Sequence, residues 1–180
     1  LLGRAESAGD IFHTNTVEVL DGRIADSIPA FRPGNVLLTL RELDLIAVVD
    51  MDAARVVWAL SSSWDAPHQA TVVGDGDIMV FDNRGNEGAS RVIRFDPVTR
   101  DIVWMFKGER PVDFHSQECG SNHLLENGNT LMICRVPVPE AYMGRVRDAE
   151  FKTMTLYVDA VLEVNRGREI VWEWHAYEHL

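Results

Sequence analysis

Cysteine is almost missing from this chain: only Cys119 and Cys134 occur in 180 residues, too few for a disulfide framework. They read either as two buried thiols or as one bridge across adjacent strands. Positive charge is also scarce, with 17 Lys and Arg against 28 Asp and Glu, a net −11 at pH 7 spread along the whole chain. Such a surface repels phosphate backbones and argues against nucleic acid as a partner. An anionic substrate would therefore need its own local nest of donors. No run approaches the roughly 20 apolar residues of a membrane span, so no membrane partner is expected. The start, Leu1-Leu2-Gly3-Arg4, has neither an initiator Met nor a signal-peptide hydrophobic region, and reads as a mature product or a piece of a longer chain. Sustained helical periodicity is missing too, the most helix-like stretch being about 139–152. The remaining composition, 46% hydrophobic and 25% charged, is that of an ordinary folded domain.

What the sequence does contain is a repeat. Gly34-Asn35 precedes the apolar run 36–38, then comes 45–50, then Val56-Val57-Trp58. Gly76-Asp77 precedes 78–81, then 90–96, then Ile102-Val103-Trp104, and Gly128-Asn129 precedes 130–133, then 159–165, then Ile170-Val171-Trp172. The first two glycines are 42 residues apart and the next two 52, while the tryptophans are 46 and 68 apart. These intervals suit a four-stranded propeller blade, with an insertion in the third unit at about 137–155. Gly-Asn and Gly-Asp supply the positive φ of a tight turn, and the apolar runs suit strands covered on both faces. The polar stretches 50–55, 96–101 and 165–169 read as turns between two strands of each unit. The tryptophan ending each unit is expected to pack between blades, burying roughly 200 Å². The fold class is therefore all-β: one β-propeller domain or propeller portion over 1–180. Its repeat units span about 13–60, 68–106 and 121–174, making three to four blades.

The innermost strand of a blade presents side chains to the central channel. Two such strands begin with a histidine, at His13-Thr14-Asn15 and at Pro67-His68-Gln69, and the third places His123 about two positions later. Histidines far apart in sequence thereby converge on one axis. Phe81-Asp82-Asn83 ends a strand, with Asp82 and Asn83 either in turn hydrogen bonds or at the pocket mouth, and Arg91 is expected to pair with a turn carboxylate.

The order His-x-Asn and strand, Gly-Asn-Val-Leu-Leu-Thr-Leu-Arg, Asp…Val-Val-Trp, Trp-Asp…His, Gly-Asp-Ile-Met-Val-Phe-Asp-Asn, Ser-Arg-Val and Ile-Val-Trp resembles the arylsulfotransferase family from about residue 10 to 174. The resemblance implies a six-bladed propeller in which one histidine attacks the sulfur of an aryl sulfate and hands the sulfuryl group to a phenol. By position, His68 resembles the nucleophile, His13 and Asn15 the His-x-Asn pair, and Arg41 the arginine that binds sulfate oxygens. His13 would then donate to the substrate or act as acid to the leaving phenoxide, with Asn15, Asp82 and Asn83 around the substrate. A neutral imidazole and a guanidinium fork suit those tasks. Pro67 and Gln69 flank His68 where the family has Gln and Asp or Ala, and Thr39 stands where it has Ser. The family's further histidine has four candidates without a motif: His115, His123, His175 and His179.

No metal or cofactor is required, and the expected partners are a small aryl sulfate and a phenol. Family members are often exported, which tilts the expected compartment toward periplasmic or secreted, although the residues themselves leave it open. The tail Trp172-Glu173-Trp174-His175 resembles a lead-in to the His-x-Asn strand at the opposite end, which suggests a ring closed by two copies joined head to tail. Two other functions fit the same repeat. One is a non-catalytic propeller scaffold. The other is a quinoprotein-like propeller, disfavoured by the lack of a vicinal cysteine pair and of a calcium carboxylate set.

Overall fold

The computed structural model describes residues 10–107, 114–116, 118–139 and 157–177. The helix-like stretch at 139–152 and His179 lie outside the described residues, apart from position 139 itself. Three four-stranded antiparallel sheets follow one another along the chain. The first holds β1 (Thr14–Val19), β2 (Val36–Leu40), β3 (Leu45–Asp50) and β4 (Arg55–Leu60). The second holds β5 (Pro67–Val73), β6 (Asp77–Asn86), β7 (Ala89–Phe95) and β8 (Ile102–Phe106). The third holds β9 (Ser121–Leu124), β10 (Thr130–Pro137), β11 (Tyr157–Val164) and β12 (Ile170–His175). Each sheet is a simple meander whose neighbours are sequential strands, the blade of a β-propeller.

The hairpin glycines explain where the strands turn. Gly34 and Gly128 adopt φ of 85° and 83°, a region that disfavours any residue with a Cβ. The aspartates and asparagines at the β3–β4, β7–β8 and β11–β12 turns cap their own backbone: Asp50 Oδ1 accepts from the Ala53 N–H (3.0 Å), Asp96 Oδ1 from the Val98 N–H (2.7 Å), and Asn165 Oδ1 from the Glu169 N–H (2.9 Å).

The core lies between blades, not within one. Leu37, Ile46 and Val48 of the first blade meet Ala70, Val72, Ile78, Val80, Ile93 and Phe95 of the second. The other face of the second blade, with Met79, Phe81, Val92 and Phe106, meets Met132, Cys134, Val158, Ala160 and Leu162 of the third. Each Val, Leu, Ile, Phe or Met among them contributes about 1.5–3 kcal/mol on burial, so stacking the sheets supplies most of the apolar stabilisation.

The three repeat tryptophans do not share one environment. Trp58 and Trp104 are partly buried against the two inter-blade cores, but Trp172 is 51% exposed. The expectation that all three are core is corrected for Trp172: its sheet face meets no further sheet among the described residues. Cys119 and Cys134 are free thiols, one exposed and one buried, and burial pushes the Cys134 thiol up to about 12.

Candidate functional site

The innermost strands β1, β5 and β9 are stitched together across blades. The Asn15 side-chain amide donates to the Pro67 carbonyl (2.9 Å), the Gln69 N–H donates to Thr16 Oγ1 (3.0 Å), and the Val72 N–H donates to Glu18 Oε2 (2.9 Å). On the other side, Gln69 Oε1 and its carbonyl accept from the Asn122 backbone and side-chain amides, both at 3.3 Å. The channel-side edge of β5 has no strand partner, so side chains of the neighbouring blades satisfy it.

This stitching brings the strand starts together. The His13 and His68 rings lie 6.5 Å apart between centroids, at 66° to each other. The register shifts between Thr14 and Thr16 on β1 and between His68 and Thr71 on β5. His13, Ala66 and Gln69 take positive φ of 44°, 54° and 45°. Irregular pairing and a strained backbone at matching places in two blades are features that cluster at functional sites. Arg41 opens a 3₁₀ turn after β2, and its backbone N–H donates to the His13 carbonyl (3.2 Å). Its side chain is largely buried, with Nη1 bound to Glu42, and its charge acts on the His68 ring. Residues 13, 41 and 68 thus form one cluster.

His68 is held in a defined state. Nδ1 sits 2.8 Å from Asn83 Oδ1 and 3.2 Å from the Ala66 carbonyl. The Asn83 amide cannot turn round, because its Nδ2 donates to the carbonyls of Ser116 and Cys119. Two acceptors face Nδ1, so the proton resides there and Nε2 keeps its lone pair. Burial pushes the imidazole below its usual 6.5; the Ala66 and Asn83 contacts oppose this, and the Arg41 and His13 charges add to it. The support behind Asn83 is itself buried: Ser90 Oγ donates to the Asn83 carbonyl (2.8 Å) and accepts from the Ser116 N–H (2.8 Å).

The residues assigned from sequence to the substrate have definite partners. Asn15 spends its amide on Pro67, and its Oδ1 accepts from Thr16 Oγ1 (3.0 Å), so it ties the two histidine strands together. Asn83 is fully buried behind His68. Asp82 is 0% exposed: Oδ1 accepts the N–H groups of Asp65 and Gly85, both at 2.9 Å, and Oδ2 pairs with Arg91 Nε (2.7 Å). Thr39 is buried and takes the Ala70 N–H on Oγ1 (2.9 Å). Sequence reasoning missed Ser116, Asp44 and Glu42. Ser116 and Asp44 act through loop geometry that no motif marks: the Asp44 carbonyl and carboxylate hold Trp64 Nε1 and the Ala66 N–H, both at 2.8 Å, just ahead of His68.

A cavity of about 510 Å³ runs along the inner strands, lined by Thr16, Glu18, Gln69, Thr71, Asn122 and His123 among others. It begins one residue along from His68 and is in the size range of small-molecule pockets. Of the remaining histidines, His115 stacks edge-on with Tyr157 at 5.8 Å and has a buried Nδ1 without a hydrogen bond. His175 pairs with Glu173 (3.2 Å) and lies over Tyr177 at 4.8 Å, on the outer strand. Among the described residues no group of three or more His, Cys, Asp or Glu side chains gathers as a metal site.

Comparison with known proteins bears on both fold and family. No curated protein matches the chain. A structure of a protein of unknown function from Bacteroides caccae superposes with a TM-score of 0.58 at 13% identity, covering 93% of this chain and 51% of that one. Virginiamycin B lyase from Staphylococcus aureus gives a TM-score of 0.45 at 12% identity, over 93% and 57%. The chain therefore spans about half the length of the solved structures it matches. The family model described as arylsulfotransferase (ASST) matches residues 2–136, which takes in the whole histidine and arginine cluster together with Asn83. With the blades and this match together, the chain belongs to the arylsulfotransferase family.

Proposed function

We propose that this protein moves a sulfuryl group from an aryl sulfate to a phenol through a covalent intermediate on His68. The observation that carries the reading is the fixed tautomer: Nδ1–H is clamped by Asn83 and Ala66, which leaves a lone pair on Nε2 of a ring whose centroid lies 6.5 Å from that of His13 and which feels the charge of Arg41. In the first step Nε2 attacks sulfur, an N–S bond forms and the S–O(aryl) bond breaks, and its electron pair leaves with the phenoxide. In this reading His13, whose side chain is 43% exposed and whose Nδ1 lies 3.2 Å from Asp10, gives that oxygen its proton. In the second step the acceptor phenol gives its proton to His13, which lost one in the first step, its oxygen attacks sulfur, and the N–S bond breaks to return the electron pair to His68 Nε2. Splitting the transfer in two lowers the barrier of each half. Arg41 stabilises charge on the sulfuryl oxygens with its planar donors, and the Arg41–Glu42 pair orients that fork.

The direct test is incubation with 4-nitrophenyl sulfate and a phenol. Phenol-dependent release of 4-nitrophenolate is expected, and no release with any phenol over the pH range would overturn the reading. Because the His68 pKa is lowered, the acid limb of the rate should fall below 6.5, the ordinary histidine value. Stability should follow the same sense. The unfolded chain binds more protons than the folded one between the lowered pKa and 6.5, so stability drops as pH falls through that window.

Asn83 acts through His68 and is a positioning residue. Asn83→Leu removes the acceptor that holds Nδ1–H and should lower kcat about tenfold to hundredfold, the equivalent of one buried hydrogen bond of about 1–3 kcal/mol. KM should change little, and Asn83→Asp should not rescue kcat, because its second oxygen would face the Ser116 and Cys119 carbonyls to which the amide donates. A Leu variant that changed only KM would contradict this role.

A further inference from the structure

The cavity along the inner strands holds a carboxylate that the proposed mechanism does not use. Glu18 of β1 is half-buried and lines it. Its Oε2 accepts the Val72 N–H of β5 (2.9 Å), while Oε1 has no hydrogen-bond donor among the described residues. Burial raises the Glu18 carboxyl above its ordinary value, against the Val72 N–H and the Arg23 charge, which lower it. A carboxylate already stripped of part of its water gains strongly from a cation placed against its open oxygen.

The protein does not supply that cation itself. Arg23, also in the lining, is turned to Asp21: Nε and Nη2 donate to Asp21 Oδ2 at 2.9 and 2.6 Å, and these bonds hold the Asp21 carboxyl down at about 2. On the opposite side of β5, Asn122 lines the same cavity and is 2% exposed, and its Oδ1 likewise lacks a donor. Both flanks of β5 thus offer acceptors without donors, in a chain of net charge −11 whose field favours cations.

The cavity also has the right reach. Val72, which Glu18 caps, stands four residues beyond His68 on β5, at most about 13 Å along the strand, and the register shift between them shortens the path. A phenol with its oxygen at His68 can therefore extend a short alkyl arm as far as Glu18.

We infer that Glu18 is a specificity-determining residue, and that the phenolic acceptor carries an ammonium group on a short arm, seated in this cavity against Glu18 Oε1. The acceptor role rests on the sulfuryl-transfer reading above, whereas the cation site rests on the cavity alone. The volume of about 510 Å³ admits a molecule of this size.

Three probes share a phenol and differ at the end of the arm near neutral pH: 4-(3-aminopropyl)phenol is cationic, 4-propylphenol neutral and 3-(4-hydroxyphenyl)propionate anionic. Titration calorimetry without any sulfate donor should show the amine binding about tenfold more tightly than 4-propylphenol, the gain of one partly desolvated ion pair, and the propionate most weakly. With 4-nitrophenyl sulfate as donor, kcat/KM should follow the same order. Glu18→Gln keeps an acceptor for the Val72 N–H and should remove the preference for the amine. Asp21→Asn leaves Glu18 in place but frees Arg23 to compete for it, and should weaken the preference in the same direction. A preference that persists in Glu18→Gln, or equal binding of the three phenols to the wild type, would overturn the inference even where sulfuryl transfer proceeds. Glu18-dependent binding of the amine with no transfer to any phenol would support the cation site and overturn the sulfuryl-transfer reading instead.

Discussion

His68→Ala should abolish sulfuryl transfer, with phenol-dependent release of 4-nitrophenolate falling by a factor on the order of 10³ or more. Removing a covalent nucleophile takes away a whole step, and what survives is binding and electrostatics around the vacated position. The variant should fold: His68 is the second residue of β5 and makes two hydrogen bonds through Nδ1, and the core at this point is filled by Phe81, which pairs opposite it. Asn83 Oδ1 would lose its donor, but the Asn83 amide stays anchored on Ser116 and Cys119. Added imidazole should restore part of the rate by entering the space left behind. In the wild type, a donor without acceptor should leave one sulfuryl group on the peptide that contains His68. Activity undiminished in His68→Ala would remove His68 from the mechanism while leaving the fold and the family as they are.

Asp82→Ala should be the most destabilising single change near the site, by about 3–5 kcal/mol, the usual cost of breaking a buried ion pair from one side. Asp82 is 0% exposed, and three groups depend on it: the Asp65 and Gly85 N–H donors and the Arg91 guanidinium, whose side chain is only 11% exposed. Burial pushes the Asp82 carboxyl up despite those three donors, so its desolvation is already large. For a chain of this size the loss corresponds to a fall in Tm on the order of 10 °C by calorimetry. Asp82→Asn keeps an acceptor for the two N–H groups and should lose less. Because Asp82 precedes Asn83, activity should fall more steeply than stability in the Ala variant. A Tm equal to wild type would show that solvent reaches this pair.

Much of the architecture was legible before any coordinates, because it depends on local chemistry repeated three times. Glycines at 34, 76 and 128 announce turns through the φ values they alone accept readily, and the apolar runs behind them suit strands covered on both sides. His13 and His68 were legible as well, since both open an innermost strand at comparable places in the repeat. Trp172 shows where that logic stops. A repeat specifies which face a residue occupies but not whether another blade stands against it, so Trp58, Trp104 and Trp172 read alike and are covered differently.

Asp82 and Asn83 show a second limit. Their polarity at a strand end fits a pocket mouth and a buried clamp equally well. Only the fold brings the carbonyls of Ser116 and Cys119, more than 30 positions away, onto the Asn83 amide and thereby decides which way its oxygen points. By itself, then, the sequence determined the blades, their turns, the family and the two histidines, because each depends on residues near in the chain or on a repeated pattern. Tertiary structure alone decided the tautomer of His68, the burial of Asp82 and the exposure of Trp172. All three follow from contacts between groups far apart in sequence, whose distances no local preference encodes.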